Sequence, residues 1–179
     1  MKSQTIIDFW FNELEPAQWF KKSSDFDEML QRRFGQLHKQ AAQGECYTWR
    51  ATLLGRLAEI IVLDQFSRNI YRDTPAAFAY DGMALVLCQE ALNIEGVSDL
   101  PAQYKAFLYM PMMHSESLVI HQQALNLFAE PGLENNYTFE VRHYEIIKAF
   151  GRYPHRNAIL GRVSTPEEIV FLQQPGSSF

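Results

Sequence analysis

The run from Trp49 to Phe66, WRATLLGRLAEIIVLDQF, constrains this chain more than any other stretch. It is apolar nearly all round, and only Arg50, Arg56, Glu59 and Asp64 in it carry charge. A helix with so little polar face has to be packed on several sides, so it belongs at the centre of the molecule, starting at about Thr48. Asp64 and Arg68 stand four apart, the spacing of an intrahelical ion pair. Gln65, Arg68, Asn69 and Tyr71 follow in quick succession, and polar groups that close a buried helix tend to point into a shared interior.

Other helices are expected around this one. TIIDFWFNEL over Thr5–Leu14 has helical spacing, Pro16 closes it, and Trp19-Phe20 is expected to tuck into the body as a plug. Ser24 reads as an N-cap with Asp25 and Asp27 in the first turn; Phe26, Leu30, Phe34, Leu37 and Ala41 form one face, and Gly44 is the stop. Thr74-Pro75 reads as a helix start continuing to Gly96, with Asp81-Gly82 as a weak point inside it. Ser98 and Pro101 open the next helix, which Pro111 is expected to break or kink. Ser115 is the expected N-cap of the helix that follows, to Pro131-Gly132, and Asn136 caps another that runs to Phe150 and stops at Gly151. Thr165-Pro166-Glu167-Glu168 is a capping box with proline at the first helical position. Pro175-Gly176-Ser177-Ser178 reads as a frayed tail.

No segment alternates like a strand over more than four residues, and no Asn-Gly or Asp-Gly turn joins two β-rich runs. The spacing therefore predicts an all-α chain of seven to nine helices, paired antiparallel by short loops. At 179 residues it is most simply read as one domain.

Composition enters as a set of exclusions. A formal charge of −5 argues against a nucleic-acid partner, which selects a basic face. No window approaches the apolar length needed to cross a bilayer, and Asp8 interrupts the first apolar run before a signal-peptide core could form. Cys46 and Cys88 lie in no CxxC motif and read as reduced thiols of a cytoplasmic protein. His114, Glu116, His121, His143 and His155 include no HExxH and no cysteine ligand pair, so neither a metal nor another cofactor is expected. Ser115, with no GxSxG elbow around it, is not expected to be a nucleophile.

Against that acidic balance, His143–Arg162 gathers three arginines, one lysine and two histidines in twenty residues. Arginine holds a carboxylate or phosphate in a fixed fork, and histidine adds a proton that moves near neutral pH. Asp64, Gln65, Arg68, Asn69, His114, Glu116, Arg152, His155, Arg156 and Asn157 are accordingly the candidate ligand-binding residues, expected to converge in space. The alternative is that the arginines cap helix ends and pair with Glu140, Glu145 or Asp64.

Three runs carry a resemblance: LDQFSRNIYR from Leu63 to Arg72, FLYMPMMHSE from Phe107 to Glu116, and FGRYPHRN from Phe150 to Asn157. Together with Asp8-Phe9-Trp10-Phe11 and Ser164-Thr165-Pro166-Glu167-Glu168, they resemble the bacterial domain of unknown function 924 family over nearly the whole chain. The resemblance implies a tetratricopeptide-like all-helical fold and no settled activity. It also marks Asp73, where a small residue such as glycine is expected in relatives.

Two functions of different class stay open. One is a binding module whose polar site holds a small anionic ligand or a peptide carboxylate, in keeping with the way helical-repeat folds present surfaces. The other is an enzyme using His114 or His155 as acid–base, with Arg152 and Arg156 on an anionic substrate.

Overall fold

In a computed structural model, which describes residues 1–178, every regular element is helical. Nine α-helices run α1 (Ser3–Asp8), α2 (Ser24–Ala42), α3 (Leu53–Ile61), α4 (Ser67–Ile70), α5 (Asp81–Ala91), α6 (Ala102–Met113), α7 (Leu118–Phe128), α8 (Glu134–Phe150) and α9 (Pro166–Leu172). A π-helical turn, Val62–Phe66, joins α3 to α4 without a break, and a second one, Phe9–Glu13, prolongs α1. Counted as continuous rods, the described residues form eight helices.

The centre is where the sequence puts it. Leu57, Ala58, Ile60, Ile61, Val62, Leu63 and Phe66 are wholly buried. The rod begins later than Thr48, however. Tyr47–Ala51 is a 3-10 turn, and Thr52 is the cap whose side chain accepts from the Gly55 N–H. The reason is a tight crossing: a Cβ on Gly55 would lie 1.9 Å from the Trp49 carbonyl oxygen, so the chain doubles back over a glycine before the helix proper starts. Around α3 pack α1, α5 and α6, while α2 lies on α4 and the π turn. The two π turns meet through rings, with Phe66 at 6.0 Å from Phe9 and 5.6 Å from Trp10.

The second half is a run of neighbours, α6 on α7 and α7 on α8. Lys105 near the start of α6 binds Glu130 just beyond the end of α7, so these two run in opposite directions. A smaller apolar cluster of Ile146, Ile147 and Tyr153, with Phe150 and Phe171 against it, lies apart from the main core.

Several starts differ from the sequence expectation. Ser23, one residue early, caps α2 through the Phe26 N–H. Thr74-Pro75 opens only a 3-10 turn, and Asp81 is the first residue of α5 instead of a weak point within it. Pro111 sits inside α6 without ending it, at the cost of the backbone bond that its missing N–H would have given to the Phe107 carbonyl, and the helix closes two residues later. α7 begins at Leu118, where Ser115 Oγ accepts from the Ser117 N–H, and α8 begins at Glu134. Trp19 is tied down by its indole N–H to the Trp10 carbonyl, but Phe20 is two-thirds exposed and is no plug. The Thr165–Glu168 capping box and the left-handed Gly151 stop are both present.

Candidate functional site

Asp64 lies in the π turn at the centre of the molecule and is fully buried. Such a carboxylate must be paired and hydrogen-bonded. Burial alone would raise its pKa, but the Arg68 guanidinium and His114 hold it below the usual carboxylate range. Its Oδ1 meets His114 Nδ1 at 2.7 Å and Arg68 Nη1 at 3.2 Å, and Oδ2 accepts from the Gln65 amide. An ionised carboxylate can only accept, so Nδ1 of His114 carries the hydrogen. Burial and the positive charge of Arg68 push the His114 pKa down, so its ring is neutral at neutral pH. Its second nitrogen, Nε2, makes no hydrogen bond among the described residues, and the side chain is 15% exposed.

The acid that completes the cluster is Asp81, the first residue of α5. Arg68 forks onto it at 2.9 and 3.0 Å, and Arg156 reaches the same carboxylate at 3.2 Å. Two guanidiniums therefore share one carboxylate. Arg156 lies at the end of a 3-10 turn, Pro154–Arg156, stacked near Phe78 and Tyr153 at 4.5 and 4.6 Å, and is nearly buried. Its second terminal nitrogen donates to the His114 carbonyl at 3.0 Å. Its Nε, also buried, meets no acceptor. Burial and the like charge of Arg68 lower its pKa from the usual arginine value.

Glu116 stands one step away. It accepts the Tyr153 N–H at 2.7 Å and takes both forks of Arg162 at 2.7 and 2.9 Å. His155, its pKa pushed down to about 4 by burial and by Arg156, packs its ring 5.4 Å from Tyr153.

Asp64, Gln65, Arg68, His114 and Arg156 are thus brought together, with Glu116 and His155 at the edge. Three candidates are elsewhere. Arg152 and Asn157 both bind Glu168 at the start of α9, at 2.6 and 3.1 Å. Asn69 joins Arg72 on Asp27, tying α4 to α2. The arginines of His143–Arg162 reach none of the three acids expected for them: Arg152, Arg156 and Arg162 bind Glu168, Asp81 and Glu116, while Asp64 pairs with Arg68, Glu140 binds His121 and Glu145 lies near Lys148. Asp81, Phe78 and Tyr153 are the members sequence reasoning missed. Tyr153 lay inside the basic stretch; for Asp81 the available signal was an acid well placed for a helix N-terminus. Among the described residues, no three His, Cys, Asp or Glu side chains are grouped to hold a metal ion. Two surface pockets, of about 150 and 350 Å³, are lined by residues outside the cluster.

An all-helical chain with a largely buried Asp–His–Arg cluster that joins the central rod to the C-terminal 3-10 turn is the class this structure defines. It belongs to the family described as "Bacterial protein of unknown function (DUF924)", whose sequence profile matches residues 6–176. A solved structure of a protein of unknown function from Agrobacterium tumefaciens, ATU0120, is similar to it. The two share 34% sequence identity and a TM-score of 0.91, over 97% of each chain. Nothing among curated proteins matches.

Proposed function

We propose that this protein binds a small anionic ligand at the face formed by Arg68, Arg156 and His114. The carrying observation is the sharing of Asp81 by two guanidiniums. A carboxylate or phosphate oxygen brought to this edge would give each arginine an acceptor of its own. The neutral imidazole adds an acceptor at Nε2 for a hydroxyl or amine on the same ligand. Two buried thiols suit a ligand of the cytoplasm, and among the described residues no helix is long and apolar enough to cross a membrane.

A thermal-shift series with inorganic phosphate, acetate, citrate and a nucleoside monophosphate tests it. Occupancy at about 100 times Kd stabilises by about 2.7 kcal/mol, enough to read as several degrees. The wild type should respond to at least one of these anions, and Arg68→Gln and Arg156→Ala should lose the response. Equal melting temperatures with and without every anion in the wild type would end this reading.

One observation favours acid–base chemistry as the second reading. Asp64 fixes His114 in the Nδ1–H tautomer, which leaves a basic lone pair on Nε2 at neutral pH. Of the two histidines considered from sequence, His114 is the better placed, since Asp64 orients its ring and Arg156 holds its carbonyl. A ligand identified by binding, then incubated with wild type and His114→Gln, separates turnover from simple occupancy.

A further inference from the structure

His121 and Glu140 are both wholly buried, and no hydrogen bond joins either of them to Asp64, Arg68, Asp81 or Arg156. Through the His121 ring the pair is nonetheless aimed at the chain that carries His114. Helix α6 ends at Met113, and the last carbonyls of a helix have no partners within it. Here three consecutive ones find side-chain donors from elsewhere. The Tyr153 hydroxyl donates to the Met113 carbonyl, Arg156 to that of His114, and His121 Nε2 to that of Ser115 at 2.8 Å.

The hydrogen on His121 follows from this arrangement. A carbonyl oxygen can only accept, so Nε2 must carry a hydrogen. The Tyr153 hydroxyl, 3.1 Å from the same nitrogen, has given its one hydrogen to Met113, so its oxygen is a second acceptor there. Nδ1 is then left for Glu140, whose Oε1 lies 2.6 Å away. Two protonation patterns satisfy that contact: an imidazolium against a carboxylate, or a neutral ring accepting from a carboxylic acid. Both place a hydrogen on Nε2. Without Glu140, Nδ1 would lose its buried partner, and the ring would be held only at its Nε2 end.

We propose that His121, its ring held in place by Glu140, is a positioning residue that fixes the turn from which His114 reaches Asp64. This rests on the reading of His114 as part of the ligand site. The role is exerted through backbone: Ser115 is the residue next to His114, and its carbonyl is fastened from α7 while that of His114 is fastened from the 3-10 turn. Glu140 on α8 thereby acts on the site from the opposite side of α7. His143, one turn along α8, packs its ring against the Tyr153 ring, as His121 does.

The test is the long-range nitrogen–proton NMR spectrum of the imidazoles, which distinguishes the two ring nitrogens and their protonation. In the wild type, His121 is expected to show a protonated Nε2, and His114 a protonated Nδ1 with an unprotonated Nε2. Glu140→Gln, whose amide can still donate to Nδ1, should preserve both signatures. Glu140→Leu, which leaves Nδ1 of His121 without its partner, should shift the ring signals of both His121 and His114 and weaken anion binding by about 10-fold or more with the fold intact by circular dichroism. A wild-type His121 with no hydrogen on Nε2 would overturn the proposal without any variant, which covers the case where Glu140→Leu does not fold. So would a folded Glu140→Leu whose His114 signals match the wild type. If no anion binds the wild type while both tautomers are as stated, the ligand reading fails and the positioning of His114 stands.

Discussion

Arg156 and Asp81 meet at 3.2 Å although 75 residues of chain separate them. The contact joins the C-terminal 3-10 turn to the first residue of α5, and it draws the end of the chain onto the central rod through Arg68. The pair is not self-sufficient, because Arg156 also holds the His114 carbonyl.

Arg156→Ala should therefore destabilise the protein by about 3 kcal/mol, the scale for removing one partner of a largely buried ion pair. Asp81 would keep Arg68, which limits the loss. Arg156→Lys keeps the charge but not the fork, and should fall between the two. Urea melts of the three proteins check the order.

Leu57→Ala and Ile61→Ala should each cost about 2–5 kcal/mol, since both side chains are wholly buried in the central rod and leave a cavity. Denaturant midpoints measure it. A loss below about 1 kcal/mol at both positions would mean that α3 is not the structural centre.

Acid should weaken the fold through its buried histidines. Burial pushes the pKa of His38 down to about 4, that of His143 to about 3 and that of His155 to about 4. Each is neutral in the folded chain down to those values, whereas in the unfolded chain each takes a proton at about pH 6.5. The unfolded state then binds more protons between about pH 6.5 and 4, so stability present above that window is lost as the pH falls through it. Glu140 runs the other way, its pKa raised by burial, but it is one group against three. Melting temperatures from pH 7 to 5 should decline steadily, and His38→Phe should flatten part of the slope.

Asp73 is held at φ 60° and is the non-glycine residue with a left-handed backbone among those described. Asp73→Gly should stabilise by up to about 1 kcal/mol, the strain relieved being partly offset by the freer unfolded chain. The midpoint of a urea melt reads this directly.

The helices were legible in the sequence wherever a local device defines them. The Thr165–Glu168 capping box and the Gly151 stop need only their immediate neighbours, and the buried rod declares itself by having almost no polar face. The site was legible as a set of residue types and much less as a set of pairs. Arg152 and Arg156 look alike in the sequence, four residues apart on a basic turn. The turn sends one to Glu168 and the other to Asp81, a distinction made by tertiary packing and by no local pattern. Asp81 was overlooked for a related reason. Thr74-Pro75 offered a helix start seven residues ahead of the real one, so the acid was read as interior when it is terminal.

The π turn at Val62–Phe66 decides which way the second half of the central rod faces. An α-helix advances about 100° per residue, and a π turn accommodates one residue more than an α turn. Were the same residues wound as a regular α-helix throughout, everything after Val62–Phe66 would be rotated by about 100° relative to the part before. Arg68 would leave Asp81, Asn69 would leave Asp27, and Phe66 would turn from the rings of the first π turn. By taking up one residue locally, the π turn keeps all three contacts at once. In this rod the winding is itself a specification, as fixed as the identity of the acid it buries.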